Sequence, residues 1–535
     1  MGEGNLQQVT ASAACPADRG HQAFQEEITE MSHPSSNCVS ALTAHYFAIA
    51  LAIFALSLAG SVAHGAENPA PPTLSPEQFV GRWSGEARNE NDRSEIGFVF
   101  DQQKDGAVTV RLWLPEVNAY GAMLGTLRIE GDKASVPDWG IPLTLRNGEL
   151  TGNLYQPELL FTVRRTSSLP DEPAIPEIPA GPAPSWTAKT GPLCATPTVV
   201  GDAVIVADTA GVIRSVNPRD GSIRWTRELG APVFGRVAAA GSHLLVAADS
   251  GELFCLDVST GRDVWRTRIG PAETKHVIPT HFGDMEWDFA GPDPVILDGV
   301  VYVAGSDHAL RALDAATGAL RWQFQAGERI RGGVCVAGGQ IVFGSRDNFV
   351  YSVNQRDGQL HWKFDTGSPV NTAPVFASGR IVIGTRDRSR LFALDAETGR
   401  PVWSVYYWLS WVESTPALVD GTLYIGASDG ARIRAIDASA GRVLWATKVW
   451  GWTWGTPLVV GDTIYYGTAG APEYFVTQRA SLGAIDRNTG ALKWRRPLSS
   501  PPDRYVHGVA ASLAICKDRI IVAGVDGWVA AYPLR

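Results

Sequence analysis

Several features that mark other classes of protein are scarce in this chain of 535 residues. After residue 66 we find no long stretch with the apolar spacing of an amphipathic helix, which argues against a helical protein. Basic residues are nowhere concentrated and the net charge is −9, so no nucleic-acid partner is expected. No Gly-x-Ser-x-Gly elbow, phosphate loop or His-Glu-x-x-His helix supports a hydrolase or a nucleotide enzyme. Gly (56) and Trp (18) are plentiful, which favours short strands joined by tight turns.

Cysteine is also scarce. Two of the six cysteines precede residue 66, and the other four are widely spaced, without the spacing of a metal or haem motif. A disulfide remains open in an oxidising compartment, but we interpret these residues as small buried strand residues. The four are Cys194, Cys255, Cys335 and Cys516.

One long apolar run occurs, near the N-terminus. Residues 46–63, YFAIALAIFALSLAGSVA, are uncharged and end in small residues, as the h-region and cleavage site of a secretory signal do. We therefore predict a targeting segment over residues 1–66, with Met31 as an alternative start and cleavage after Ala63 or within the next three residues. Retention as a membrane anchor is the alternative, because no Lys or Arg precedes the run after Met31 and its length would span a bilayer. The predicted location is periplasmic or secreted, with membrane association only if the segment stays uncleaved.

Residues 75–166 predict a small antiparallel β barrel or sandwich domain. Segments such as VTVRLWL and LLFTV alternate with period two, and turn residues separate them. The opening Gly81-Arg82-Trp83 resembles the Gly-x-Trp start of lipocalin-type barrels. We expect side chains to fill the interior, with a ligand cavity as the alternative. Residues 167–185 carry six prolines and predict a semi-rigid extended linker.

From residue 186 onward the chain repeats one motif. A Gly-x-x-x-Trp unit occurs seven times, and successive Trp residues lie 40, 57, 40, 41, 42 and 49 positions apart. This is the length of one four-stranded propeller blade, with two longer connections. The units are Gly221/Trp225, Gly261/Trp265, Gly318/Trp322, Gly358/Trp362, Gly399/Trp403, Gly441/Trp445 and Gly490/Trp494.

An Asp or Asn precedes the glycine of each unit. We expect its side chain to accept hydrogen bonds from the backbone of the tight turn, while the glycine supplies a left-handed conformation. The Trp is expected on the outer strand, where its ring would pack against the neighbouring blade and its N–H would reach a backbone carbonyl. These residues are therefore interpreted as structural: Asn217, Asp257, Asp314, Asn354, Asp395, Asp437 and Asp486.

The two ends of the repeat region complement each other. The C-terminal segment DRIIVAGVDGWVAAYPLR stops where a last Thr-Gly turn and Trp strand should begin, and the missing strand appears as SWTAKTG around Trp186. The N-terminal strand would then close the last blade and leave no exposed edge. Seven complete units and one split unit predict an all-β fold with an eight-bladed β-propeller over residues 186–535.

The repeat Ala/Leu-x-Asp-x-x-Thr-Gly-x-x-x-Trp resembles the propeller of pyrroloquinoline quinone (PQQ) dehydrogenases, of PQQ-like repeat proteins and of the outer-membrane assembly lipoprotein. The resemblance covers residues 186–535 and implies the fold more than the function, because the same propeller also serves as a non-catalytic scaffold. The dehydrogenases have two adjacent disulfide-bonded cysteines, often a Cys-x-x-Cys-His haem site, and a calcium ion held by Glu, Asn and Asp. The cysteine motifs are absent here and no full calcium set aligns, so no catalytic residue is carried over. The lipid-modified Cys of the assembly lipoprotein has no counterpart after the apolar run either.

Departures from the repeat mark the candidate site. Alignment of the units on the start of the innermost strand places eight residues at one level around a mouth of the channel: Cys194, Phe234, Gly291, Arg331, Asn371, Glu413, Trp454 and Ala510. Polar groups beside aromatic rings at a channel mouth predict a ligand site. The alternative is that Arg331 and Glu413 pair across the funnel and Trp residues plug it. The predicted ligand-binding residues are Arg331, Asn371, Glu413, Trp411, Trp452, Trp454 and His507, with Arg329 nearby.

Two connecting segments, residues 404–414 and 447–457, add further aromatic residues. They hold more Trp than the locking of two blades requires, namely Trp408, Trp411, Trp450, Trp452 and Trp454. Their planar faces would suit a flat ring, a sugar or a protein partner, with packing inside the propeller as the alternative.

The connection between Trp265 and Trp322 is longer than the others. Its length predicts that residues 271–290 fold over a mouth of the channel. Its imidazole and carboxylate groups would suit Ca²⁺, Zn²⁺ or a similar ion, but their spacing matches no known loop, and we prefer to interpret the segment as a solvated lid. The metal candidates are His276, His281, Asp284, Glu286 and Asp288.

The leading hypothesis is an exported binding or scaffold propeller that holds a small planar ligand, a sugar or a protein partner at the channel mouth. We lean towards a protein that is not an enzyme, and the residues establish no cofactor. The alternative is an atypical PQQ-dependent dehydrogenase that oxidises alcohols or sugars, for which PQQ and Ca²⁺ would be the cofactors.

Overall fold

The computed structural model describes residues 74–89, 92–154, 159–273, 276, 288, 290–501 and 505–534, and residues 71–535 form one compact unit. The predicted targeting segment and cleavage site lie outside these residues. In the described part, no helix has the length and apolar character needed to span a bilayer. Its helices are three 3₁₀ turns, Pro76–Gln78, Pro115–Val117 and Pro137–Trp139.

The first nine strands form one antiparallel sheet that curls into a nearly closed barrel, in the order β4-β3-β2-β1-β9-β8-β7-β6-β5. These strands are β1 (Gly81–Arg88), β2 (Arg93–Gln102), β3 (Val108–Leu114), β4 (Ala119–Thr126), β5 (Arg128–Glu130), β6 (Lys133–Val136), β7 (Ile141–Arg146), β8 (Glu149–Asn153) and β9 (Leu160–Thr166). The period-two pattern buries alternate side chains of β3, so that Val110 and Leu114 are fully enclosed.

Aromatic side chains fill the interior of the barrel, as expected. Trp83, Phe98 and Phe161 are at most 2% exposed, and the indole N–H of Trp83 donates to the carbonyl of Phe79 at 2.7 Å. The guanidinium of Arg165 lies over the Trp83 ring at 4.6 Å and closes that end of the core.

An eight-bladed propeller follows, as predicted, and each blade is an antiparallel sheet. The first strand of the propeller along the chain is β10 (Trp186–Lys189), which belongs to the last blade. The first seven blades, each given from its inner to its outer strand, are β11 (Thr198–Val200), β12 (Ala203–Ala207), β13 (Val212–Val216), β14 (Ile223–Glu228); β15 (Ala238–Ala240), β16 (His243–Ala248), β17 (Glu252–Asp257), β18 (Asp263–Arg268); β19 (Val295–Leu297), β20 (Val300–Ala304), β21 (Ala309–Asp314), β22 (Leu320–Gln325); β23 (Cys335–Ala337), β24 (Gln340–Gly344), β25 (Phe349–Asn354), β26 (Leu360–Asp365); β27 (Val375–Ala377), β28 (Arg380–Gly384), β29 (Arg390–Asp395), β30 (Pro401–Tyr406); β31 (Ala417–Val419), β32 (Thr422–Ile425), β33 (Arg432–Asp437), β34 (Val443–Lys448); and β35 (Leu458–Val460), β36 (Thr463–Gly470), β37 (Ser481–Asp486), β38 (Leu492–Pro497).

The eighth blade is assembled from both ends of the propeller, as the sequence predicts. Strand β39 (His507–Gly508) pairs with the end of β36, and the last strands are β40 (Ala514–Cys516), β41 (Arg519–Gly524) and β42 (Trp528–Pro533). Strand β10 pairs antiparallel with β42, with Trp186 opposite Ala531, and supplies the outer strand. The ring is thus closed by hydrogen bonds between the first and last propeller strands.

Seven of the eight seams between blades are made by a Trp packed on the turn glycine of the next blade. A Cβ atom added to Gly358 would lie 2.6 Å from Cε3 of Trp322, whose indole N–H donates to the carbonyl of Gln355 at 3.0 Å. The same ring-on-glycine contact recurs at Trp186/Gly221, Trp225/Gly261, Trp265/Gly318, Trp362/Gly399, Trp403/Gly441 and Trp445/Gly490.

The turns themselves follow the predicted chemistry. The Oδ1 atom of Asp314 accepts the backbone N–H groups of Ala316 and Thr317, both at 3.1 Å, and Gly318 has a φ of 73°. Hydrogen bonds from Arg321 and Thr317 lower the pKa of Asp314 to about 2. The repeated acids therefore cap turns and belong to the scaffold.

The proline-rich segment lies against both sheet systems. The indole N–H of Trp113 in the barrel donates to the carbonyl of Pro170 at 3.0 Å, and the N–H of Arg495 in β38 donates to the carbonyl of Pro179 at 2.9 Å. Gly181 packs on the ring of Trp494, where the other seams have a turn glycine. This segment therefore supplies the glycine for the last seam.

Candidate binding site at the channel mouth

One backbone hydrogen bond repeats from blade to blade and sets the level of the mouth. The donor is the backbone N–H of a residue just after the second strand of a blade. The acceptor is the carbonyl of the residue two positions before the predicted mouth residue of the same blade. The pairs are Arg346 to Arg329 (2.8 Å), Arg386 to Pro369 (3.1 Å) and Ser428 to Trp411 (3.0 Å). Arg331, Asn371 and Glu413 therefore occupy equivalent positions in the fourth, fifth and sixth blades.

Arg331 is enclosed by two acids from the long connection. Its Nε and Nη2 atoms donate to the carboxylate of Asp288 at 3.0 and 2.6 Å, and its Nη1 atom donates to Glu273 at 3.0 Å. The side chain of Arg331 is only 3% exposed, and Arg329 also lies 3.4 Å from Glu273. Two described residues of the connection, Glu273 and Asp288, are thus held at this mouth by buried charge pairs, while most of the segment predicted to fold over it lies outside the described residues.

Glu413 is held by a different set of partners. Its Oε1 atom accepts the amide of Asn371 at 2.6 Å and lies 3.4 Å from Nη1 of Arg386. The guanidinium of Arg386 in turn stacks on the ring of Trp411 at 3.8 Å. Arg331 and Glu413 therefore do not form the pair across the funnel that we considered as an alternative, because nearer groups of opposite charge hold each of them.

Arg346 and Arg386 are two mouth residues that the sequence reasoning missed. They follow β24 and β28 in the segments Gly-Ser-Arg-Asp and Gly-Thr-Arg-Asp. Alignment of the units on the second strand would have found them, since both stand at the same place in adjacent repeats. Nη1 of Arg346 is buried and has no hydrogen-bond partner among the described residues, and it lies 3.9 Å from Asp288. Burial, and then the charges of Arg386 and Arg331, lower the pKa of Arg346.

The predicted aromatic residues pack largely against one another. Trp452 and Trp454 stack at 4.7 Å with an interplanar angle of 22° and are 1% and 7% exposed. The edge of Tyr474 meets Trp452 at 4.9 Å. Trp408 joins the hydrophobic core of the barrel, and Arg495 lies over Trp450 at 5.5 Å. These contacts agree with packing inside the chain, which was the alternative to a free planar surface.

Two titratable groups are buried beside this aromatic cluster. Asp429 accepts the indole N–H of Trp452 at 2.8 Å, and burial raises the pKa of its carboxyl to about 6. His507 is 3% exposed, and burial lowers the pKa of its imidazole. Within the described ranges, the Nδ1 atom of His507 has no hydrogen-bond partner. His507 thus lies in β39 at the mouth, on the side of the seventh blade.

One further mouth position, Phe234, and the metal candidate His276 contact other side chains of the chain. His276 stacks on Phe234 at 4.0 Å, and its Nε2 atom lies 3.4 Å from Asp249. His281, Asp284 and Glu286 lie outside the described residues. Where side chains are described, no group of three or more His, Cys, Asp or Glu is placed to hold a metal ion. Cys194, Cys255, Cys335 and Cys516 are free thiols.

The barrel lies beside this mouth, on the other side from Glu273 and Asp288 of the fourth-blade cluster. On the barrel side, Arg432 of β33 donates to the Glu116 carboxylate at 2.8 Å, and the ring of Phe475 lies 4.7 Å from Trp139. Tyr406 and Trp408 belong to the same hydrophobic cluster as the barrel interior. Because the two sheet systems share this cluster, their division into separate domains remains a prediction. The polar mouth lies beside this contact between barrel and propeller, because Trp408 packs in the shared cluster and Trp411, three residues later, packs against Arg386 at the mouth.

Comparison with known proteins shows the family to which the chain belongs. The family model described as outer membrane protein assembly factor BamB matches residues 209–329, 309–410 and 407–535. The protein of that name from Yersinia pestis is 27% identical over 149 residues, which are 27% of this chain and 36% of the relative. The one from Salmonella typhimurium is 31% identical over 93 residues, 15% of this chain and 24% of the relative. The chain thus spans little more than a third of the curated relatives that it matches.

A solved structure shows the same fold. The computationally designed Ika8 protein superposes with a TM-score of 0.51 at 14% identity, over 65% of this chain and 99% of that one, and an identity this low shows the fold alone. BamB from Moraxella catarrhalis is also similar, with a TM-score of 0.38 at 16% identity, over 66% of this chain and 98% of that one. Since the family model covers more than half of the sequence, the chain belongs to the family of PQQ-like repeat propellers described as outer membrane protein assembly factor BamB.

Proposed function

We propose that this chain is an exported scaffold propeller that binds a protein partner at the mouth marked by Arg331, Asn371 and Glu413, beside its barrel. The observation that carries the proposal is the pairing of opposite charges at the mouth. Arg331 is held by Asp288 and Glu273, and Glu413 is held by Asn371 and Arg386. These side chains are fixed before anything binds.

Such pre-arranged surfaces suit recognition. Binding pays less conformational entropy when the contacting side chains are already held in one geometry. The Oε1 atom of Glu413 accepts the amide of Asn371 at 2.6 Å, which holds the carboxylate in one orientation.

The family supports a protein as the partner. The relatives are named outer membrane protein assembly factors, which implies that proteins are what they act with. The uncharged run of residues 46–63 agrees with an export signal, and hence with a periplasmic or secreted location. Transfer of this role rests on family membership together with the mouth.

Site-specific photo-crosslinking in the native cell tests the proposal. A photoreactive residue replaces Arg388, which is exposed in the turn between β28 and β29 on the mouth face. The matched control replaces Arg356, which is exposed in the turn at the opposite end of the neighbouring blade. We expect Arg388 to yield one discrete crosslinked protein and Arg356 to yield none.

A second measurement separates the scaffold from the dehydrogenase. The purified chain is titrated with PQQ and Ca²⁺ while quinone absorbance and dye reduction with alcohols or sugars are followed. Stoichiometric quinone binding with turnover, or equal crosslinking from both positions, would contradict the scaffold proposal.

A further inference from the structure

A small cavity lies beside Arg331, where the long connection meets the second, third and fourth blades. Its volume is about 20 Å³, which is enough for one group of the size of a water molecule, and it is partly open to the surface. Its described lining combines apolar side chains and backbone of all three blades with four ionisable groups. These four are Asp249, Glu273, His276 and Arg331.

The imidazole of His276 is fixed in this cavity with one nitrogen unused. Its side chain is 3% exposed, and its ring stacks on Phe234 at 4.0 Å with an interplanar angle of 14°. The Nδ1 atom lies 3.1 Å from the backbone carbonyl of Asp288, and a carbonyl only accepts, so Nδ1 carries the hydrogen. The Nε2 atom of the neutral ring is therefore an acceptor, and it has no hydrogen-bond partner among the described residues.

A second acceptor faces this nitrogen. The Oδ1 atom of Asp249 lies 3.4 Å from Nε2 of His276, and the side chain of Asp249 is only 12% exposed. Two acceptors cannot satisfy each other, so the pair lacks a donor. Because the two atoms are this close and both residues line the cavity, one donor group placed there can bond to both.

The charges around the cavity favour a positive group. Three acids and three arginines of this region contact one another within 4.0 Å, namely Glu273, Asp288, Glu328, Arg329, Arg331 and Arg346. Arg386, the next arginine at the mouth, lies 3.4 Å from Glu413 and 4.0 Å from Asp387. No described arginine or lysine lies within 4.0 Å of Asp249, whose one ionisable neighbour is His276. The carboxylate of Asp249 therefore lacks a matching charge.

Size, charge and donor count together select a primary ammonium group. An ammonium has three N–H donors and the positive charge that Asp249 lacks. A guanidinium is too large for a cavity of one water-sized group. A metal ion is not favoured either, because the described side chains bring no three His, Cys, Asp or Glu residues into position to hold one. The side chains of Ile269 and Ile330 also line the cavity and suit the carbon attached to an ammonium.

From the two facing acceptors and the cavity that they share, we infer that this cavity binds one primary ammonium group. A lysine side chain of the protein partner is one source of this group, and that assignment rests on the proposed function. A free alkylamine is the other source, and it would bind whether or not the chain is a scaffold.

Titration of the purified full chain with methylammonium chloride tests this inference. The chain carries ¹⁵N-labelled histidine, and the NMR resonance of Nε2 of His276 is followed after its assignment from its loss in His276→Gln. Tetramethylammonium chloride is the matched probe, because it has the same charge but no N–H donor. We expect methylammonium to shift the resonance until the site is saturated, and tetramethylammonium to leave it unchanged at the same concentrations.

Asp249→Asn tests the acceptor pair without a change of shape. The new amide removes the charge and brings its own donor to Nε2 of His276, so methylammonium should bind at least about tenfold more weakly while the melting temperature does not fall. The control is Asp518→Asn, whose side chain is 84% exposed at the other end of the propeller and which should leave binding unchanged. Equal affinity of the unaltered chain and Asp249→Asn would overturn the inference.

Competition with acetyl-Gly-Lys-Gly-amide identifies the source of the ammonium. If this peptide displaces methylammonium and its norleucine analogue does not, a lysine is the natural occupant. A site that takes methylammonium and rejects the Lys peptide belongs to a free alkylamine.

Three results would remove the site. They are equal responses to methylammonium and tetramethylammonium, an Nε2 atom of His276 that is already protonated at neutral pH, and no response to any amine, which would leave the cavity to water. A crosslink from position 388 that persists in the absence of ammonium binding would leave the scaffold proposal standing.

Discussion

Replacement of Gly358 by Ala tests the seam between the third and fourth blades. Gly358 has a φ of 72°, and a Cβ atom there would lie 2.6 Å from Cε3 and 2.9 Å from Cδ2 of Trp322. A left-handed backbone costs an L-residue about 1–2 kcal/mol. Overpacking against a buried ring costs about 1–3 kcal/mol more. We therefore expect the free energy of unfolding to fall by roughly 2–5 kcal/mol.

The chain supplies a matched control at Gly379. Its φ is 75°, but no atom lies within 4 Å of the position that a Cβ would take. Gly379→Ala should lose only the backbone part, about 1–2 kcal/mol. The difference between the two variants isolates the contact with the Trp ring.

A double-mutant cycle with Trp322→Ala completes the test. Trp322 is 8% exposed, and its loss should cost about 3–5 kcal/mol as a large-to-small core change. Once the ring is gone, Gly358→Ala should cost no more than Gly379→Ala. Unfolding free energies come from urea titration followed by circular dichroism. Equal losses for Gly358→Ala and Gly379→Ala in the native background would refute the seam geometry.

Three further predictions concern closure, pH and the buried charges. Deletion of residues 181–190 removes the strand that closes the eighth blade, so the exposed edges should cause aggregation in gel filtration, and a monomer with unchanged melting would count against closure. Burial raises the pKa of Asp429 from 3.8 to about 6, so the folded chain holds this proton more tightly than the unfolded chain, and the stability that it contributes is lost as the pH rises between these two values. The melting temperature of Asp429→Asn should therefore depend less on pH in this range than that of the unaltered protein, and an equal dependence would contradict the prediction. Arg331→Met leaves Asp288 and Glu273 buried without their partner and should cost about 3–5 kcal/mol, whereas a loss below about 1 kcal/mol in urea would show that the cluster is solvated.

The scaffold could be predicted from the sequence because its determinants are local and repeated. The acid, the turn glycine and the Trp of each unit lie within eight positions of one another, and their roles follow from turn geometry and ring size. The split blade was equally visible, since SWTAKTG supplies the strand that the C-terminus lacks. Both features recur in the structure at Asp314, Trp322 and the pairing of β10 with β42.

The site was less accessible because its contacts join distant segments. Arg331 meets Asp288 from a connection without repeat character, so no alignment of blades could pair them. Arg346 and Arg386 were missed because the alignment followed only the inner strands. The sequence left open whether Trp408 faces a partner or packs internally; it packs into the barrel, and nothing in the local pattern says which face of the propeller the barrel covers.

Strand β10, which closes the eighth blade, also determines the order in which the propeller can fold during synthesis. A ribosome makes β10 before any blade exists, but the partner of β10 is β42, the last strand of all. Until β42 has been made, the ring cannot close and the edge of β10 stays without its ladder. The eighth blade of a nascent chain can therefore form only after all the other blades have been made. The same pairing that leaves the mature ring without a free end keeps the unfinished ring open until β42 arrives.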